Sequence, residues 1–146
     1  MTPNLFGRWQ TRLLLFATVG ILVTLPFYLG LVGPESSGDN SIYFWVLFYI
    51  ALFGLGWDVI YIYLQRWRWD RDWPAILQLL TGIWEALFFL WLVKLPAVNI
   101  PFVPSQLDLT RFAVHYSLVW LAIFIASQSL MRIFFPTWRF RGGQWW

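Results

Sequence analysis

Four long apolar runs alternate with short polar stretches along the chain. The first, residues 13–32, carries no charge, and at about 1.5 Å of rise per residue a helix of that length covers the ~30 Å hydrocarbon core of a bilayer. Residues 42–64 hold Asp58 as their only charge, residues 75–93 hold only Glu85, and residues 112–135 hold Arg132 together with the single histidine, His115. The expected fold is therefore all-α: a four-helix transmembrane bundle forming one integral membrane domain over residues 1–146. Eleven Leu, Ile, Phe and Val residues lie within residues 75–93. At about −0.3 to −0.6 kcal/mol each they outweigh one carboxylate at roughly +3 kcal/mol, so the third run inserts despite Glu85.

The connections fit this reading. Residues 33–41 form a polar, aperiodic turn in which Asn40 or Ser41 suits the cap of the second helix. The link from Gln65 to Asp72 is short and predicts antiparallel neighbours, with Pro74 in the first turn of the third helix. Pro96, Pro101 and Pro104 stiffen a loop that is too interrupted to span, and the stretch from Ser105 to Asp108 resembles a capping box for the fourth helix. Pro26 is expected to kink the first helix, and two stripes of small residues, Ala17/Gly20/Thr24 and Ala122/Ala126/Ser129, suit close helix packing. Residues 137–146, with Arg139, Arg141 and three tryptophans, read as an amphipathic interfacial tail.

Charge orients the bundle. Arg8, Arg12, Arg66, Arg68, Arg71, Arg132, Arg139 and Arg141 fall on one side, against Lys94 and Arg111 on the other. The positive-inside rule then puts both termini and the turn between the second and third helices in the cytoplasm. Tryptophan gathers at the same boundary. A bacterial-type inner or internal membrane is the expected location.

Composition narrows the function classes. With 60% hydrophobic and 12% charged residues and no cysteine, the chain is a membrane protein without disulfides, thiolate metal sites or thiol nucleophiles. Arginine dominates its basic residues, and there is no basic run outside the interfacial turns, so the bilayer and its head groups are the expected partners and nucleic acid is not. No phosphate loop, HExxH or GxSxG motif occurs, and no metal site or catalytic residue is predicted.

The candidate chemistry lies in the polar residues within the spans. Gly54, Asp58, Tyr61 and Gln65 share one face of the second helix, and that face must look into protein. A lone ionised Asp58 in hydrocarbon costs several kcal/mol or more, on the order of the handicap of any intramembrane charge, so it demands a partner. Arg132, with Gln128 beside it, lies at a similar depth on the fourth helix and is the expected one. Glu85 has no basic residue at its depth within the predicted spans and is expected to stand as a neutral carboxyl, the form a proton relay uses. His115 lies near the opposite boundary, too far in depth for a Ser-His-Asp arrangement, where it can bind locally, pair with Asp108 or act as an axial ligand to a haem or pigment. Arg66, Trp67, Arg68, Trp69 and Trp73 form an interfacial anchor or a docking surface.

Two functional expectations follow. The favoured one is a small accessory or assembly subunit, buried laterally against other membrane-protein subunits, lipid or pigment, for which the 22% aromatic content, the aromatic-rich cytoplasmic face and the short loops without a soluble domain argue. The other is a small proton- or ion-coupled transporter or channel that uses Glu85 and Asp58. A membrane-embedded enzyme acting on a lipid or quinone ranks behind both, because the two carboxylates and the histidine share no common depth.

Overall fold

In the computed structural model the described residues are 4–32, 39–67, 74–105, 107–135 and 138, and all of their regular structure is helical. Four helices are long and apolar enough to cross a membrane: α1 (Leu5–Tyr28), α2 (Ile42–Arg66), α3 (Ala75–Lys94) and α4 (Leu109–Phe134). Pairs spaced along each neighbouring couple show that they run antiparallel. Arg12 meets Asp58 between α1 and α2, Tyr61 meets Glu85 while Phe53 meets Phe89 between α2 and α3, and Gln78 meets Gln128 between α3 and α4. Phe27 packs on Tyr43 at 5.4 Å between centroids, Trp57 on Trp84 at 5.9 Å, and Phe89 on Phe112 at 5.6 Å. We call the end with Leu5, Arg66, Ala75 and Phe134 proximal and the end with Tyr28, Ile42, Lys94 and Leu109 distal.

α1 begins at Leu5, well before the apolar run at Leu13. The side chain of Asn4 caps it by accepting from the Phe6 backbone N–H at 2.8 Å, which satisfies one of the amides a helix start leaves open. Arg8 and Arg12 are therefore helical and stand one turn apart on the same face. Midway, Phe16–Gly20 forms a π-helical turn. In an uninterrupted α-helix Gly20 would be rotated by roughly 80° from the face of Arg12. The extra residue of the π turn cancels most of that offset, so Arg12 and buried Leu15 below it and buried Gly20, Thr24 and Phe27 above it all look inward. Of the small-residue stripe expected here, Gly20 and Thr24 are buried and Ala17 is exposed.

α4 is interrupted at Ser129, whose Oγ bonds back to the Ile125 carbonyl at 2.7 Å and whose backbone leaves the helix before Leu130. This corrects the second small-residue stripe: Ala126 is buried, but Ser129 is an exposed break. The cap of α4 is Asp108, which accepts from the Thr110 N–H at 2.9 Å. Ahead of α2, Asp39 accepts from both the N–H and the hydroxyl of Ser41.

The distal core packs Val46, Ile50, Phe89, Val93, Phe112 and Tyr116 with Ile100 and Val103 of the loop after α3 tucked beneath them. α3 and α4 meet closely because Gly82 has no side chain. The indole of Trp120 occupies the space its Cβ would fill, and the Tyr116 hydroxyl donates to the Gly82 carbonyl. The outer face of α3, with Ile76, Leu80, Ile83, Leu87 and Trp91, is exposed, as a lipid-facing stripe is.

Candidate functional site

The inward face of α2 is the predicted one. Gly54, Asp58, Tyr61 and Gln65 are all buried, and the matching stripe of α3 places Gly82 and Glu85 opposite them. What joins the two helices is Arg12 of α1. Its Nε donates to Asp58 Oδ2 at 2.8 Å and its Nη2 to Oδ1 at 3.1 Å, while Nη1 and Nη2 donate to Glu85 Oε2 and Oε1 at 2.9 and 3.1 Å. One planar guanidinium thus forks onto two carboxylates, a geometry for which arginine is suited and lysine is not. Tyr61 completes the coordination by donating to Glu85 Oε1 at 3.2 Å. One turn toward the proximal end, Arg8 lies 3.9 Å from Asp58 and donates to Gln65 at 3.4 Å. The side chains of Arg12, Asp58 and Glu85 are 15, 5 and 8% exposed, so the attraction acts in a medium of low dielectric and the cost of removing one partner is high.

Gly54 makes this possible. A Cβ there would overlap the guanidinium of Arg12, which four hydrogen bonds hold in place. The ring of Phe16 lies 6.0 Å from the same guanidinium carbon and covers its upper side.

Two expectations are corrected here. Asp58 pairs with Arg12 and not with Arg132, because helical residues before the apolar run carry Arg12 to the depth of Asp58. Glu85 is not without a basic neighbour for the same reason. Arg132 instead donates to Gln128. A chain of amides follows: Gln128 donates to Gln78 at 2.8 Å, and Gln78 to Ser127 at 3.0 Å.

A cavity of about 430 Å³ opens beside the network. Its proximal part is lined by Arg8, Arg132, Gln128 and Gln78, its flank by Arg12, Asp58 and Glu85, and its distal part by apolar side chains such as Leu47, Ile50 and Val119, ending at His115. A second cavity of about 270 Å³ enters the distal end between Asp39, Ser41, Phe102, Asp108 and Arg111. Phe102, at its rim, holds a backbone φ of 63°, a conformation unfavourable for a bulky residue, and its ring stacks on Trp45 at 4.2 Å. Among the described residues His115 alone lines both cavities.

No known protein family, characterised protein or solved structure matches this chain. The geometry alone carries the functional argument.

His115 is 2% exposed rather than interfacial. Its Nε2 shares a hydrogen bond of 2.9 Å with the Thr24 hydroxyl, and the rings of Phe27 and Tyr43 flank it at 5.0 Å. Nδ1 is buried and has no hydrogen-bond partner among the described residues. Asp108, the alternative partner, pairs with Arg111 at 3.4 Å. Thr24 therefore occupies the nitrogen an axial ligand would otherwise offer, and only Nδ1 is open to another group. No cluster of three or more metal-ligating side chains occurs among the described residues.

Arg66 and Trp67 of the predicted docking surface are exposed, Trp67 at 77%. Arg68, Trp69 and Trp73 lie outside the described residues, as do the tail residues Arg139 and Arg141. Sequence reasoning missed Arg8, Arg12 and Thr24 as members of the interior. The signal for the two arginines was Asn4, a strong helix cap that starts α1 two turns before Arg12. Thr24 was marked only as a small packing residue.

Proposed function

We propose that the protein is a small proton-coupled membrane carrier, with both termini and the arginine-rich turn in the cytoplasm of a bacterial-type inner or internal membrane. The observation that supports this reading is the pair of cavities approaching from opposite ends and meeting at His115. A buried ring nitrogen without a partner costs roughly 1–3 kcal/mol unless water or a passing group satisfies it. Both cavities are large enough for water, and the second brings Asp39, Ser41, Asp108 and Arg111 to its walls. A histidine exchanges a proton through one nitrogen while the other stays bound, here to Thr24, which makes it a suitable relay between two wet compartments.

Arg12 supplies the coupling. With Arg8, Asp58 and Glu85 it forms a compact set of two positive and two negative groups. Protonating Glu85 from the proximal cavity removes one of the two anions that hold the guanidinium, freeing donors for a solute in the same cavity. Proton binding at Glu85 thereby favours solute binding at Arg12, a positive linkage of the kind co-transport requires. The purified chain in liposomes, under an imposed pH gradient and followed with an entrapped pH-sensitive dye, tests this. We expect proton flux above that of empty liposomes, lost in Glu85→Gln; flux indistinguishable from empty liposomes contradicts the reading.

A second reading, an accessory subunit held laterally in a larger complex, is supported by the ridge on α3 where Trp84 stands 53% exposed and Trp91 58% exposed, with Trp57 of α2 packed edge-on against Trp84 and Phe88. Purification in mild detergent with stoichiometric membrane partners favours it; purification alone favours the carrier.

A further inference from the structure

The geometry points to a monovalent organic anion with an apolar body, a carboxylate amphiphile, as the molecule held in the proximal cavity, its charged group on Arg132 and its apolar part against Val119, Ile123 and Phe124. This rests on the carrier reading for its role in transport but stands on the cavity itself for binding.

Charge comes first. Among the described residues, the charged side chains that line the cavity are three arginines, Arg8, Arg12 and Arg132, against two carboxylates, Asp58 and Glu85, an excess of one positive charge. Arg12 and Arg8 are engaged with the two carboxylates. Arg132 differs. It lines the mouth, and among the described residues no carboxylate lies within ion-pair distance of it; its bond is to the neutral carbonyl of Gln128. A guanidinium has five N–H donors in a rigid fork, so donors remain after Gln128 is served, in the planar arrangement that matches a carboxylate. The surplus charge and the surplus donors therefore sit on the same side chain.

The amide chain fixes where that side chain points. Arg132 donates to Gln128, Gln128 to Gln78 and Gln78 to Ser127, and the Ser127 hydroxyl ends the chain by donating to the Phe124 carbonyl at 2.7 Å. Every link donates away from the mouth. Swinging Arg132 aside would break the first link and leave the Gln128 carbonyl open, so the guanidinium is held beside the cavity rather than free in solvent.

Apolar walls set the rest of the ligand. Beyond the amide chain the lining turns to Val119, Ile123, Phe124 and Trp120, with no charge until the Arg12 network on the flank. A small inorganic anion would leave this surface wet, whereas an acyl or aryl body would cover it, with a gain of about 25 cal/mol per Å² of apolar surface removed from water. The volume of about 430 Å³ falls in the lower half of the roughly 300–1,000 Å³ typical of small-molecule sites, which selects a single short chain or ring rather than a diacyl lipid.

The test uses the full chain in nanodiscs of zwitterionic lipid and bromine-labelled octanoate as probe, read by saturable quenching of tryptophan fluorescence, with Trp120→Phe to identify the quenched residue. Matched bromine-labelled octanol and octyl-trimethylammonium are the neutral and cationic controls. Expected are saturable quenching by octanoate alone, loss of most of it in Trp120→Phe, and an apparent Kd raised tenfold or more in Arg132→Gln and restored toward the parent value in Arg132→Lys. Equal binding of the neutral or cationic probe, or an unchanged Kd in Arg132→Gln, overturns the proposal. Proton flux measured with octanoate present, against protein-free liposomes at the same octanoate concentration, separates the two claims: octanoate binding with no excess flux retains the anion site and removes the carrier, and excess flux with no octanoate binding does the reverse.

Discussion

The two cavities handle charge in opposite ways. At the distal one each carboxylate among the described residues is satisfied within a turn of its own chain: Asp39 by Ser41 two residues on, and Asp108 by Thr110 and by Arg111 three residues on. At the proximal one the partners are 46 and 73 residues apart in sequence and almost dry. Local, exposed pairs of the distal kind contribute a few tenths of a kcal/mol to about 1 kcal/mol. A buried network of the proximal kind need not stabilise the fold relative to an apolar core, but it makes the fold depend on all of its members at once. The distal end is thus tolerant and the proximal end is not, and the residue that carries the difference is Arg12.

Replacing Arg12 should have the largest effect. Arg12→Met strands Asp58 and Glu85 as uncompensated neighbours, with an expected loss of about 3–5 kcal/mol, read from unfolding in mixed micelles. The triple variant Arg12→Met, Asp58→Leu, Glu85→Leu should regain most of that stability, since it removes the charges together. A single variant as stable as the parent would remove the proximal half of the comparison.

Gly82→Ala comes next. The added methyl meets the indole of Trp120, a rigid group wedged against a neighbouring helix, and overpacking of this kind costs about 1–3 kcal/mol. Thermal unfolding measures it, and a shorter side chain at Trp120 should relieve it. Failure of that relief would mean the close approach of α3 and α4 is set elsewhere.

The smallest effect belongs to the distal end. Hydrogen bonds from the Ser41 hydroxyl and backbone N–H hold the Asp39 carboxyl below its ordinary value of 3.8. A depressed folded-state value contributes stability above the unfolded value that is lost as pH falls through the folded one. Asp39→Asn should therefore be slightly less stable than the parent at neutral pH, with the difference vanishing in acid below the ordinary carboxylate range. Paired melting curves across that range check the sign; a gap that widens in acid contradicts it.

The same contrast explains how much was legible in the sequence. The four helices, their antiparallel order and the inward faces through Asp58 and Glu85 follow from periodicity, because apolar and polar residues recur at helical spacing within each run. The start of α4 near Asp108 also follows, but the capping box expected from Ser105 gives way to Asp108 itself as the cap, bonded to the N–H two residues on. The fork of Arg12 does not. A positive charge before an apolar run has the pattern of an interfacial anchor whether it faces head groups or a buried carboxylate, and choosing between them needs the rotation of α1 about its axis. That rotation is set by a π turn at Phe16–Gly20, for which the residues Phe, Ala, Thr, Val and Gly give no local signature. The burial of His115 was hidden for a related reason: its position along α4 is near the boundary, but the aromatic rings of Phe27 and Tyr43 close over it from two other helices.

The carrier reading turns on His115 as the junction of the two cavities. The most direct measurement is proton flux in liposomes for His115→Phe, a near-isosteric change that keeps the ring packing and removes both nitrogens, with circular dichroism confirming the helical content. We predict a folded protein whose flux falls to that of empty liposomes. Flux equal to that of the parent in the folded variant would contradict the account.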